Sequence, residues 1–327
     1  MIRLIPILLV LILPLQTRGQ LFQNAEPLAH TFSIVARDER TGEMAVAVQS
    51  HWFSVGSVVS WAEAGVGVIA TQSFVNKSFG LRGLELLRNG SSPEGALREL
   101  LADDPGHNVR QVAILDTGGR VAVHTGKDCI AWAGHRSGKN FSVQANMMLN
   151  ERVVPAMEHA WRAGETLALP ERMMEVLRAA QAAGGDIRGK QSAALLVVRG
   201  KATDKPWDDR LVDLRVDDSQ DPIEELVRLL RVFRAYEYMN LGDLHIEHGD
   251  VPEAMEAYQA AMKMFPENLE MQYWTAITLA SNGQVQKAVP MLQDIYNKDP
   301  NWRELTRRLP KVGLLPVTEE ELEELIR

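Results

Sequence analysis

A single cysteine, Cys129, stands in a chain of 327 residues. It excludes an intramolecular disulfide and any CxxC metal or redox site. Cys129 also lies far from the N-terminal apolar run, which excludes a lipid-modified N-terminal cysteine. Basic patches are lacking, and the net charge of −8 argues against a nucleic-acid partner. The one long apolar run, Leu4 to Leu15, is shorter than the roughly 20 residues of a spanning helix. Two catalytic signatures are missing as well. The "GVG" of residues 65–67 lacks the third glycine of a dinucleotide fingerprint, and no GxSxG elbow surrounds Ser192.

What remains is the composition of a soluble globular protein, 46% hydrophobic and 24% charged. The length suggests about two domains, with a core large enough to stand without disulfides. Arg3, the apolar run and the polar exit "QTRGQ" form the charged, hydrophobic and polar regions of a secretory signal. Thr17 and Gly19 are small residues at the spacing signal peptidase accepts, giving a mature start near Gln20. Residues 1–19 are therefore expected to be a signal peptide and 20–30 a mature N-terminal segment. The expected destination is secreted or periplasmic, with no transmembrane segment in the mature chain. A retained N-terminal membrane anchor is the alternative, against which Pro14 weighs.

From Thr31 to Asp217 strands alternate with helices, an α+β pattern. "TFSIVARD" and "GEMAVAVQS" predict a hairpin turning at Gly42, and "RQVAILDTGGRVAVHTG" a second one. "SVVSWAEAGVGVIATQS" reads as one or two strands, and "CIAWAG" and "NFSVQANMM" as further ones. Ser92 is the expected N-cap of a helix opening at Pro93. Two packed antiparallel sheets with helices on their outer faces, a four-layer αββα sandwich, satisfy this order.

After the polar stretch Asp217 to Pro222, residues 218–327 read as all-helical. Ala235–Asn268 and Leu269–Trp302 align as two units of 34 residues, with Gly249 matching Gly283, Ala254 matching Ala288, and Pro266 matching Pro300. Tyr238, Leu241, Gly242 and Tyr258 resemble the tetratricopeptide pattern. Two units bury little alone, so "PIEELVRLLRVFRAYEYM" before them and "TEEELEELIR" after them are expected to act as caps. A protein partner bound by the repeats, or self-association through them, are both open.

The stretches "TFSIVARD", "GEMAVAVQS", "GVGVIATQSFVN", "GLRGLELL", "WAGHRSGKNFSVQANMM" and "GGDIRGKQSAALLVV" together resemble the family termed domain of unknown function 1028. That resemblance implies an N-terminal-nucleophile (Ntn) hydrolase-like αββα domain over 31–217, with its site where the sheets open. It implies Thr31 as nucleophile, attacking an amide carbonyl of an unknown small molecule or peptide. An N-terminal threonine carries its own base, an α-amine of unperturbed pKa about 7.7–8.0. Thirty residues precede Thr31, so that amine must be released by proteolysis. If it is not, the same fold serves as a non-catalytic ligand- or protein-binding module.

Other residues are candidates by position. Ser33 shares a strand face with Thr31. Ser192 is an alternative internal nucleophile, and Gln191 stands beside it at the head of a strand. Asp186 and Arg188 are expected to pair, either fixing a turn or gripping a polar substrate. Gln72, Asn76, Gln144 and Asn146 are side-chain amides suited to an oxyanion or a substrate amide, or to satisfying buried strand ends. His51 and His135 lie at strand ends where proton transfer is open to them. His245 and His248 share a helix without a third ligand, so no metal is expected, and no cofactor.

Overall fold

A computed structural model describes residues 28–327. The expected signal peptide, and residues 20–27 after it, lie outside the described residues. In chain order the first elements are β1 (Leu28–Ala29), β2 (Thr31–Arg37), β3 (Met44–Ser50), a short helix α1 (Gly56–Val59), β4 (Ser60–Glu63) and β5 (Gly67–Phe74). Helices α2 (Ser78–Arg88) and α3 (Pro93–Ala102) follow, then β6 (Arg110–Asp116), β7 (Val121–Thr125), β8 (Gly134–Gly138) and β9 (Phe141–Ala145). Next come α4 (Val153–Ala163), α5 (Leu169–Ala182), β10 (Ser192–Val198) and β11 (Arg210–Val216). The remainder is helical: α6 (Pro222–His248), α7 (Val251–Met264), α8 (Leu269–Ser281), α9 (Val285–Lys298), α10 (Asn301–Arg308) and α11 (Glu319–Leu325).

The strands form two antiparallel sheets. One has the order β11-β10-β3-β2-β9-β8; the other runs β1-β5-β6-β7, with β4 also paired to β5. Alternation along each strand decides what meets what. Val35, Val46, Val48 and Leu196 face Val68, Ala70 and Leu115 between the sheets. The opposite face of the first sheet, including Phe32, Ile34 and Leu195, packs on Met157, Met173 and Leu177 of α4 and α5. On the second sheet Ile69 and Ile114 pack on Phe79, Leu84 and Leu100 of α2 and α3. Burying Phe32 or Ile34 completely contributes about 1.5–3 kcal/mol each.

Both predicted hairpins form. Gly42 turns the first with φ +79°, a conformation costly for any residue with a Cβ. The Ser92 hydroxyl caps α3 by accepting from Gly95 N at 3.1 Å. Two predicted strands need correction. "SVV" of residues 57–59 belongs to α1, because Gly56 lets this turn lie on the sheet: a Cβ there would sit 2.5 Å from the Ala194 Cβ. In "CIAWAG" only Gly134 is in a strand; Cys129 N is held by Gly126 O in a turn.

The expected leading cap is not a separate helix. It is continuous with the first repeat helix as the 27-residue α6. Ile223, Leu226 and Leu230 of its first half join the core of the first sheet, while its second half pairs with α7. Gly242 makes that pairing close, since a Cβ would meet the Tyr258 ring at 2.3 Å. Helices α8 and α9 form the second pair. Beyond them Leu309, Leu315 and Leu325 close the core, with Thr318 and Glu321 forming a capping box at α11. No helix among the described residues is long and apolar enough to cross a membrane.

Candidate active site at the head of β2

Thr31 and Ser33 share the face of β2 that carries Val35, so both point toward the second sheet. Antiparallel register extends this into a row of hydroxyls: Thr31 pairs with Ser50, and Ser50 with Ser192. The space between the sheets thus grades from apolar to polar along the strands. At its polar end Gln72 and Gln111 of the second sheet meet Ser33, Gln144 and Asn146 of the first, and all five are fully buried.

Buried polar groups need partners, and here they satisfy one another. Ser33 donates to Gln72 Oε1 at 2.5 Å and accepts from Gln144 Nε2 at 2.7 Å. Ser142 donates to Gln144 Oε1 at 2.8 Å. Gln72 Nε2 donates to Gln111 Oε1 at 2.7 Å, as does Asn146 Nδ2 at 2.9 Å. Gln111 Nε2 in turn reaches Ala145 O at 2.9 Å, Thr125 Oγ1 at 2.9 Å and Gly134 O at 3.1 Å.

The residues before Thr31 are part of this site. Leu28 and Ala29 pair with Phe74 and Ser73 of the second sheet, and the chain then crosses at His30 to enter the first sheet as β2. His30 is only 2% exposed. Its Nδ1 lies 2.8 Å from Asn146 Oδ1, and its ring stands edge-on to Phe74 at 5.4 Å. Burial holds the His30 imidazole below its ordinary pKa, with the Asn146 hydrogen bond opposing, so the ring is neutral near pH 7.

The carbonyl oxygen of His30 accepts two hydrogen bonds, from Ser50 Oγ at 2.6 Å and from Arg188 Nη2 at 2.8 Å. Arg188 is fixed by Asp186, its Nε on Oδ1 at 3.0 Å and its Nη2 on Oδ2 at 2.7 Å. Asp186 also accepts from the backbone nitrogens of Arg188 and His51. Gly184 and Gly185, at φ +132° and +61°, turn the chain from α5 into this pair. On the far side of the same peptide bond, Thr31 Oγ donates to Ala29 O at 3.0 Å. A hydroxyl, a peptide bond and two donors on that bond's oxygen are therefore adjacent, with one of the donors cationic.

Of the residues singled out from sequence, Thr31, Ser33, Gln72, Gln144, Asn146, Asp186 and Arg188 come together. His135 touches the group at one remove, its Nδ1 2.8 Å from Thr125 Oγ1. His51 reaches the site only through its backbone nitrogen on Asp186, while its exposed ring lies 3.3 Å from Lys190 O. Ser192 is tied into the β3–α1 loop, donating to Trp52 O and accepting from Val55 N at 3.0 Å. Gln191 reaches outward to Asp218 at 3.2 Å, and Asn76 accepts from Ser78 N at 3.1 Å, opening α2. Those last two stand apart from the site. Sequence reasoning missed His30, Ser50, Gln111, Thr125 and Ser142. Ser50 and Gln111 carried a usable signal, since each continues the alternation of inward residues, Val46–Val48–Ser50 and Gln111–Ala113–Leu115.

The fold and site define an α/β protein of two antiparallel sheets, closed over a buried polar site and continued by antiparallel helix pairs. Residues 31–226 match the model of a family of unknown function, DUF1028, and residues 239–301 match a tetratricopeptide repeat. The chain belongs to the DUF1028 family. It is similar to the crystal structure of protein SPO2555 from Silicibacter pomeroyi, also a DUF1028 protein, at 30% identity and a TM-score of 0.56, covering 62% of this chain and 88% of that one. No curated protein matches the chain.

Proposed function

We propose that the chain is an exported amide hydrolase of Ntn type on a four-layer αββα sandwich, with Thr31 as nucleophile after cleavage of the His30–Thr31 peptide bond. The observation that carries this reading is the pair of donors, Ser50 and Arg188, on the His30 carbonyl beside the Thr31 hydroxyl. Attack by Thr31 Oγ on the His30 carbonyl carbon builds negative charge on that oxygen, and donors already in place stabilise it. The C–N bond then breaks, the Oγ proton passes to the departing Thr31 nitrogen, and water hydrolyses the resulting ester. What remains is a free hydroxyl and a free α-amine on one residue. The family match, which opens at Thr31, supports the same boundary.

In turnover the amine takes the Oγ proton as the substrate carbonyl is attacked and hands it to the leaving amine. Ser33, Gln72 and Gln144 hold the strand head in place, and the repeats supply a surface for a protein partner. Export rests on the N-terminal sequence. The experiment is the intact mass and N-terminal sequence of the exported protein. A chain beginning at Thr31 that turns into an unprocessed one in Thr31→Ala supports the reading. An exported chain that keeps residues 20–30 indefinitely sinks it.

One observation favours a second reading. In the uncleaved chain Thr31 is fully buried and its hydroxyl is committed to Ala29 O, which suits a non-catalytic binding module. Ligand binding without turnover by an uncleaved chain would select it.

A further inference from the structure

The segment that closes the site also reports the shape of what fits there. Resting on the reading above, we propose that the mature site takes an extended peptide, with histidine at the residue whose carbonyl is attacked, rather than a small amide. Three parts of the site recognise such a peptide separately.

The first is a strand edge. β4 pairs with β5 only from Gly67 to Ala70, and beyond it Ser73 and Phe74 pair with Ala29 and Leu28. A peptide entering after residues 28–30 have left meets the same backbone donors and acceptors, and adds as a strand. Ser73 is held at φ +73° at this edge and Met147 at φ +59° beside Asn146. Such non-glycine strain gathers where a site is built.

The second is a ring subsite whose polarity is fixed. Gln111 Nε2 donates to carbonyl oxygens, so its Oε1 must be the acceptor for Asn146 Nδ2. Asn146 Oδ1 is then free only to accept, and the ring bound to it must donate from Nδ1. Phe74 closes the ring's other side. A leucine of similar bulk fills the space and leaves Asn146 Oδ1 unpaired, and a glutamate brings a second acceptor against it. The third part is the carbonyl site of Ser50 and Arg188. With such a peptide, Thr31 Oγ forms an ester to the histidine acyl carbon as the C–N bond breaks. Water then releases a peptide ending in histidine carboxylate and restores the hydroxyl.

The test uses the full chain after maturation and four aminomethylcoumarin amides: acetyl-Leu-Ala-His, acetyl-Leu-Ala-Leu, acetyl-Leu-Ala-Glu, and acetyl-His without the strand portion. We expect kcat/KM for the first to exceed the second and third by about tenfold or more, because a buried acceptor is left unpaired in both. The truncated amide is also cleaved more slowly, and the free acid acetyl-Leu-Ala-His competes as a product. Asn146→Leu brings the histidine-to-leucine ratio to about one or below; the wild-type series stands by itself should that variant not fold. Equal rates for histidine and leucine peptides, or preference for the truncated amide, overturn the assignment while leaving Thr31 as nucleophile. A matured chain that neither cleaves nor binds these peptides overturns it too. A chain that never begins at Thr31 and cleaves nothing overturns both readings.

Discussion

Gln111→Leu removes the residue on which the polar end of the inter-sheet space converges. The side chain is fully buried, and leucine fills nearly the same volume, so the effect isolates hydrogen bonding. Asn146 Nδ2 loses its acceptor at Gln111 Oε1 and faces apolar atoms. Gln72 Nε2 loses its shortest bond and keeps only contacts of 3.3 and 3.5 Å to Thr31 O and Gln144 O. One buried donor left unpaired costs about 1–3 kcal/mol, and a second weakened one adds about 1 kcal/mol. The sum, about 2–4 kcal/mol, lowers Tm by roughly 4–16 °C for a domain of this size. Thermal and urea unfolding followed by circular dichroism, on the Thr31→Ala background, measure it. The double variant Gln111→Leu with Asn146→Leu sharpens the argument, because the orphaned donor is gone. Its destabilisation is expected to fall short of the sum of the single effects by about 1 kcal/mol. A Gln111→Leu chain within about 0.5 kcal/mol of its parent, or strict additivity, refutes the network as a coupled unit.

Ser50→Ala and Arg188→Met should each slow the appearance of the Thr31 N-terminus by roughly a hundredfold, the usual loss of one oxyanion donor; timed mass spectrometry reads it, and unchanged rates refute their role. Burial is the main cause holding His30 below the ordinary histidine pKa of 6.5. The unfolded chain then binds a proton that the folded chain refuses, so stability is full above about pH 6.5 and falls as pH drops through it toward the depressed folded value. On the Thr31→Ala background, Tm measured from pH 8 to 5 should fall on acidification, and fall less in His30→Gln; identical curves argue against the buried neutral ring. Gly242→Ala places a Cβ 2.3 Å from the Tyr258 ring and should destabilise the repeats by about 1–3 kcal/mol, with lost helical signal at lower temperature than in the parent. A melt unchanged by that substitution would mean the helix pair is looser than described.

The parts legible in the sequence were those written in a period. Alternation along "TFSIVARD" set Ser33 on the same face as Thr31, and the 34-residue repeat exposed both helix pairs. Contacts between distant segments had no such period. "PLAH" has no alternation, so nothing in it announced that Ala29 belongs to one sheet and Thr31 to the other. Ser192 sits at a strand head as read, but its partners are Trp52 O and Val55 N, 140 and 137 residues away in sequence. Asn76 lies two residues past the end of β5, where its amide turns to start α2 instead of facing the sheets. Gln111 continues the inward alternation of "VAIL", but only the opposing sheet shows it as a hub, accepting from both Gln72 and Asn146.

The row Ser192–Ser50–Thr31 offers three hydroxyls on adjacent strands, and residue chemistry alone does not choose among them. Their partners do. Ser192 is bonded to a loop of the folded domain, and that loop stays whether or not the chain is cut. Ser50 and Thr31 are bonded to carbonyls of His30 and Ala29, residues on the leaving side of the proposed cut. Removing that segment therefore releases two hydroxyls and no others in the row. Of these two only Thr31 gains an amine on its own backbone, while Ser50, next to Arg188, is left as a donor aimed at the vacated carbonyl position. In the proposed mechanism the division of labour between nucleophile and oxyanion donor thus follows from where the chain crosses between its sheets.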